Sequence, residues 1–189
     1  EMNKVVTIYP PLVEGIFAIL RAFFVDGRGL EQSLESTFAK NRKWGSRDRR
    51  FVAESVFESV RWRRRLCLVG EALGCQNDET EKIVTGLAAL KNWSTAKHSV
   101  TEAQAAWDEA GRQSLAVRES IPDWLNDWGL AQMPERWEAE ISALNELAPV
   151  DLRVDALRST VSRAQTTLQK EGLEPEVSGP SCLTLLERR

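Results

Sequence analysis

Apolar residues recur at spacings of three and four through residues 1–147, and no stretch there alternates between apolar and polar positions. This spacing places apolar side chains on one face of an α-helix and excludes a sheet-based core for this part of the chain. We therefore predict an all-helical domain over residues 1–147. Its helices are expected at residues 10–25, 30–40, 46–73, 79–90, 101–118, 121–128 and 134–147, with Ser46 and Ser120 as N-caps.

The pattern changes after Ala148-Pro149. Residues 151–155 alternate as a short strand does, residues 159–171 have helical spacing and end at Gly172, and residues 173–177 form a second strand candidate. This β-α-β segment is too short to be an independent α/β domain. The fold class expected is mainly α, with residues 148–189 forming a partial α/β subdomain.

Size and composition exclude several classes of protein. The chain has 189 residues, and its longest apolar run, Gly15–Leu20, is far shorter than the roughly 20 residues that span a bilayer. We see no cleavable signal peptide at the N-terminus. Three cysteines, an odd number, argue against a disulfide framework and fit a reducing cytoplasm. We expect a cytoplasmic protein with no membrane partner.

Positive charge is concentrated in one window. The chain carries a net charge of −3, yet residues 40–65 hold ten basic and three acidic residues, a net +7, so the remainder carries −10. Such a distribution predicts a polyanion-binding surface, and arginine suits phosphate because its planar fork binds in a bidentate way. The alternative is a solvated helical face whose arginines pair with Glu54 and Glu58. The basic residues are Lys40, Arg42, Lys43, Arg47, Arg49, Arg50, Arg61, Arg63, Arg64 and Arg65.

The apolar stripe shifts within the predicted third helix. Val52, Val56 and Val60 share one face, whereas Leu66 and Val69 lie about 100° further round the helix axis. We expect a kink, or a change of packing partner, near Arg63.

The seven tryptophans have two expected roles. Trp124, Trp128 and Trp137 fall on helical apolar faces and are predicted to be core residues. Trp44 and Trp62 lie inside the basic window, where either could stack on an unpaired base. Packing under neighbouring arginine stems is an equal alternative for Trp62.

No catalytic or metal site is evident. His98 is the only histidine and lies in a polar stretch, so neither a catalytic triad nor a multi-histidine metal site can be built. Gly27-Arg28-Gly29 lacks the third glycine of a dinucleotide fingerprint, and there is no phosphate-binding loop. We predict no catalytic residues, no metal ligands and no cofactor in these residues. The chain has the features of a binding module.

Three stretches together resemble a known family, the Sun/Fmu-type (RsmB-like) ribosomal RNA 5-methylcytosine methyltransferases. The segment Gly45–Phe57 followed by Arg61-Trp-Arg-Arg-Arg-Leu66 is similar to their NusB-like RNA-binding domain. Ser120-Ile-Pro-Asp-Trp-Leu125 is similar to the motif that follows that domain. Pro149-Val-Asp-Leu-Arg-Val-Asp155 is similar to the strand that opens their small RNA-binding subdomain, with Asp155 replacing the usual asparagine.

The resemblance implies a NusB-like helical bundle, then the start of a ferredoxin-like subdomain, then a catalytic domain that uses S-adenosylmethionine. The catalytic Pro-Cys and Thr-Cys motifs are absent from these residues, and Cys182 follows Ser181 instead. The chain is therefore expected to be the RNA-binding region of a larger enzyme, or a short relative that retained this part. Its expected partner is structured RNA, specifically ribosomal RNA. The alternative is a NusB-like protein-interaction or antitermination-type module, with the tryptophan-rich residues 107–137 as the contact surface and no methyltransferase activity. The RNA-binding residues expected are Lys40, Arg42, Lys43, Trp44, Arg47, Arg49, Arg50, Arg61, Arg64, Arg65 and Arg153.

Overall fold

The structure is a computed structural model that describes residues 4–146 and 148–185. It divides into two compact units, Glu1–Glu138 and Ala139–Arg189. The division between these units falls inside the helix Trp137–Asn145. The domain boundary at residue 147 stays a prediction. The helices of the described ranges are α1 Pro10–Phe24, α2 Leu30–Lys40, α3 Ser46–Arg61, α4 Arg63–Ala72, α5 Glu79–Leu90, α6 Val100–Gln113, α7 Leu115–Arg118, α8 Asp123–Gln132, α9 Trp137–Asn145 and α10 Val161–Lys170.

The first unit is a helical bundle built around α1. Two prolines open α1, where a missing N–H costs nothing, and its Ile16, Ile19 and Leu20 are fully buried. The core continues through Val52 and Val56 of α3, Leu66 of α4, and Ile83 and Leu87 of α5. The apolar spacing therefore predicted both the helices and their buried faces.

Helices α4 and α5 approach closely because glycines face the contact. A Cβ on Gly70 would overlap the backbone of Lys82, and one on Gly86 would come within 2.8 Å of the Leu66 carbonyl oxygen. Glycine leaves the space that this approach requires.

The long third helix is interrupted at Trp62, whose backbone (φ −101°, ψ 19°) leaves the helical region. Helix α3 ends at Arg61 and α4 begins at Arg63. This confirms the kink expected from the shifted apolar stripe: α3 presents its valines to the core, and α4 presents Leu66 and Val69.

Several helix ends differ from the predictions. Gly45, not Ser46, is the N-cap of α3, and its N–H donates to the Asp48 carboxylate at 3.2 Å. Helix α8 begins at Asp123 rather than directly after Ser120, which has a left-handed backbone (φ 56°). The hydroxyl of Ser120 instead accepts from the backbone N–H of Arg64 at 2.9 Å. Ser120 is therefore part of the packing between segments rather than a helix cap.

The second unit contains β1 Val150–Arg153, α10, β2 Pro175–Gly179 and β3 Cys182–Leu185. The sheet order is β1-β3-β2, with both pairs antiparallel. Strand β3, which is only four residues long, was not predicted from the sequence, and β2 begins two residues later than predicted. Leu183 of β3 is fully buried. A β-α-β-β run with this order is the first part of a ferredoxin-like arrangement, so the predicted fold class is confirmed.

Candidate nucleic-acid interface

The connection between α2 and α3 is a fixed corner of the first unit. The backbone N–H and the side-chain Nδ2 of Asn41 both donate to the Thr37 carbonyl oxygen, at 3.1 and 2.9 Å. The N–H of Trp44 donates to the Asn41 carbonyl oxygen at 3.0 Å. These bonds satisfy the groups that a helix end leaves open, and they hold residues 41–45 in one conformation.

Trp44 anchors this corner from inside. Its side chain is buried, it lies edge-on to the ring of Phe38 with centroids 6.4 Å apart, and it contacts the backbone of Gly15 in α1. A buried indole cannot stack on a nucleic-acid base. The prediction that Trp44 is an RNA-binding residue is therefore wrong, and its role is to fix the corner.

Arg49 supports the same corner. Its Nε donates to the Trp44 carbonyl oxygen at 3.0 Å, and its guanidinium lies over the Phe38 ring at 5.7 Å from the centroid. The Arg49 side chain is thus engaged with the protein, although it remains partly exposed.

Five basic residues of the corner are exposed and form no ion pair within the described part of the chain. We call them the basic surface: Lys40, Arg42, Lys43, Arg47 and Arg50. They surround the N-terminus of α3, whose helix dipole adds positive potential at the same place. The nearest acidic side chain in sequence, Asp48, is held by the Gly45 N–H. Clustered cations beside a helix N-terminus have the charge and donor groups that suit a polyanion.

The arginines after the helix break are bound into the fold instead. Arg63 forms a bidentate ion pair with Glu79, both bonds at 2.7 Å, and its guanidinium lies 4.6 Å from the Phe24 ring centroid. The hydrogen bond to Glu79 raises the pKa of Arg63. Arg64 donates to the Ile121 carbonyl oxygen at 2.9 Å and to the Asp123 carboxylate at 2.6 Å.

Arg65 is the most deeply engaged of these arginines. Its guanidinium donates to the carbonyl oxygens of Trp107, at 2.8 and 3.1 Å, and Arg118, at 3.2 Å. It also lies 3.9 Å from the centroid of the Trp107 ring. Burial lowers the pKa of Arg65. Arg64 and Arg65 hold α4 to the segments around α6, α7 and α8, so their guanidinium groups are already engaged within the fold. Their contact with RNA stays a prediction.

The remaining residues of the basic window also differ in their surroundings. Arg61 is exposed at the end of α3. Trp62 packs edge-to-face on Trp107, with ring centroids 5.3 Å apart, which favours its packing role over stacking on a base. Glu58 pairs with Lys91 at 2.7 Å. The basic window of residues 40–65 is therefore divided at Trp62 into a mainly exposed part and a structural part.

A known protein family matches the C-terminal part of the chain. Residues 121–189 match the family model of the methyltransferase RsmF/B-like, ferredoxin-like domain. These residues are similar to that ferredoxin-like domain. For these residues, the match confirms the resemblance to the Sun/Fmu-type (RsmB-like) family.

A solved structure shares the fold over nearly the whole chain. The crystal structure of PH0851 superposes with a TM-score of 0.55 at 15% sequence identity, covering 98% of this chain and 50% of that one. The chain thus spans half the length of that protein. Among curated proteins, no sequence matches the chain significantly.

In the segment that matches this family model, Arg153 is exposed on β1, where it pairs in register with Cys182 of β3. Residues 4–146 and 148–185 contain no helix with the length and apolar character needed to cross a membrane. Within the same ranges, no three histidine, cysteine or acidic side chains are grouped as metal ligands would be.

Proposed function

We propose that the chain binds structured RNA, with ribosomal RNA as the natural target, through the basic surface. In this proposal it is the N-terminal region of an S-adenosylmethionine-dependent methyltransferase and positions the RNA for 5-methylcytosine formation by a catalytic domain outside these residues. The supporting family relation is the RsmF/B-like domain at residues 121–189.

The observation that carries the proposal is the fixed, unpaired state of the basic surface. Five exposed cations have no carboxylate partner within the described part of the chain, in a protein of net charge −3. Neutralising them with phosphates releases counterions from the RNA, which favours binding. Because Trp44 and Arg49 already hold the corner, little conformational entropy is lost when RNA binds.

Arg61 and Arg153 belong to the proposal as peripheral contacts. Both are exposed, and Arg153 lies in the RsmF/B-like domain. Arg49 contributes charge behind the basic surface while its Nε supports the corner.

The proposal is tested by measuring affinity for total ribosomal RNA as a function of salt. With four or five phosphate contacts, the affinity of the unmodified chain is expected to fall about 10²-fold between about 50 and 200 mM salt. The double variant Arg47→Glu/Arg50→Glu is expected to bind at least about tenfold more weakly and to have a shallower salt slope. An affinity that does not depend on salt would overturn the proposal.

A matched control is available at Arg28→Glu/Arg112→Glu, which changes the net charge by the same amount. Both residues are exposed, and Arg112 lies on α6 paired with Glu109. Helix α2, eleven residues and about 16 Å long, separates Arg28 from Lys40. Equal losses of RNA affinity in the two double variants would show that only net charge matters, and the basic surface would not be a site.

A second candidate function is protein binding through α8. Trp124 and Trp128, four residues apart, are 69% and 55% exposed, which is unusual for side chains of this size. This function predicts a complex that survives ribonuclease and is lost in Trp124→Ser/Trp128→Ser, while affinity for ribosomal RNA is unchanged. Loss of RNA affinity in that variant would instead assign the tryptophans to the RNA site.

A further inference from the structure

A cleft of about 650 Å³ lies in the first unit, apart from the basic surface. Its apolar walls come from α1, the α4–α5 connection and α5, and include Val13, Phe17, Leu73 and Val84. This volume is within the range of small-molecule sites, which are mainly apolar with a few polar groups. None of the five residues of the basic surface lines it.

Glu81, the third residue of α5, lines this cleft with an unsatisfied carboxylate. Its Oε2 is buried and has no hydrogen-bond partner among the described residues. Its backbone N–H already donates to Asp78 Oδ1 at 3.0 Å, but the carboxylate makes no reciprocal capping bond. A buried acceptor without a donor is costly, so a ligand that draws this carboxylate out into the cleft and donates an N–H to it would be favoured.

The other polar groups of the cleft narrow the ligand class. Lys97 and His98 line it and provide cationic or donor groups, while Gln76 and Asn77 provide amides. A simple organic cation would suit Glu81 and the exposed Glu14 but would leave Lys97 and His98 without an acceptor. A ligand that combines an amine donor, a flat apolar ring and an anionic group matches Glu81, Phe17 and Lys97 together.

We infer that this cleft binds a ribonucleotide whose base carries an exocyclic amine, that is, cytosine, adenine or guanine. The amine donates to Glu81, the base packs against Phe17, and the phosphate lies toward Lys97 and His98. A carboxylate accepting from an exocyclic amine is an established way of reading a base. The ligand is either a free nucleotide or an unpaired residue of RNA; only the second source rests on the proposed function.

Cytidine and uridine 5′-monophosphates provide the test, because they differ in the amine at C4. In titrations of the full chain followed by NMR, CMP is expected to bind at about 1 mM, a range typical of a single small ligand. UMP is expected to bind about tenfold more weakly, because its O4 would face the Glu81 carboxylate as a second acceptor. Equal binding of the two nucleotides, or binding of neither, would overturn the inference.

Glu81→Gln keeps the size of the side chain and adds an amide that can donate to O4 of uracil, so the preference for CMP is expected to disappear or reverse. Glu14→Gln changes an exposed carboxylate of the same cleft and is expected to retain the preference. If both variants lose it equally, the discrimination does not come from Glu81 and the assignment fails.

The Arg47→Glu/Arg50→Glu variant separates this inference from the proposed function. It is expected to keep the CMP preference while losing affinity for ribosomal RNA; loss of the CMP preference would place the nucleotide at the basic surface and overturn the cleft assignment. Oligocytidine and oligouridine distinguish the two sources of the ligand. A preference for oligocytidine that Glu81→Gln removes identifies an RNA residue, and a preference seen only with mononucleotides identifies a free nucleotide.

Discussion

The indole of Trp44 lies directly against the backbone of Gly15, at a distance that leaves no room for a Cβ on that glycine. This contact joins the α2–α3 corner to the central helix of the bundle. Because Trp44 also accepts a hydrogen bond from Arg49 through its carbonyl oxygen, the contact determines where the basic surface is presented.

Gly15→Ala should therefore destabilise the protein. Overpacking against a buried side chain costs about 1–3 kcal/mol, and the better helix propensity of alanine offsets up to about 1 kcal/mol of it. Urea unfolding measures the net change. In a Trp44→Phe background the smaller ring leaves space, so the alanine should cost less; an equal cost in both backgrounds would contradict the contact.

Arg65→Lys should lower the free energy of unfolding by about 2–3 kcal/mol. A lysine cannot reproduce the fork that serves the carbonyl oxygens of Trp107 and Arg118, so buried acceptors lose their donors. Arg47→Lys is the control and should stay within about 0.5 kcal/mol, because Arg47 is exposed. If the two substitutions have equal effects, Arg65 is not structural.

Tryptophans of the α8–α9 region should differ sharply in their contribution to stability. Trp137 is buried, contacts Gly129, and its Nε1 donates to Asn126 Oδ1 at 3.1 Å, so Trp137→Ala should cost about 3–5 kcal/mol. Trp124→Ala should cost less than about 1 kcal/mol, since that side chain is 69% exposed. Thermal unfolding of the two variants decides between these roles; similar losses would show that Trp124 is covered.

Cys67 should react with iodoacetamide only at raised pH. Burial, and next the nearby Glu79 carboxylate, raise the pKa of its thiol. The pH–rate profile of a chain with Cys75→Ala and Cys182→Ala should thus have its midpoint above that of an ordinary cysteine. By linkage, the thiol contributes stability that is complete below the unfolded pKa and is lost as pH rises through the folded pKa.

The variant Glu79→Gln tests whether the Glu79 carboxylate helps to raise the pKa of Cys67. Removing the carboxylate takes away one of the influences that raise the pKa of Cys67, so the midpoint should move downward. If, in the chain that retains Glu79, the pH–rate midpoint of Cys67 equals that of an ordinary cysteine, then Cys67 is open to solvent in solution.

The sequence predicts those parts of the fold that depend on local spacing. Helices α1, α2 and α5 begin and end close to where their apolar patterns do, and the shifted stripe near Arg63 correctly placed the break at Trp62. The short strand β3 was missed because four residues show too little alternation to stand out.

The candidate site was predicted only in part, because burial depends on partners distant in the chain. Trp44 is buried by Gly15, almost thirty residues away, and Arg65 is held by Trp107, forty-two residues away. Trp124 and Trp128 fit a helical apolar face but are exposed. A charge count along the sequence cannot tell a solvated arginine from one that bonds to carbonyl groups.

The interruption at Trp62 gives neighbouring arginines different evolutionary freedom. Before it, the five exposed side chains of the basic surface can be exchanged without loosening the bundle. After it, each arginine joins helices together, and its loss would lower the free energy of unfolding. A relative with a different target would therefore be expected to vary its charges on one side of this single residue and to keep them on the other.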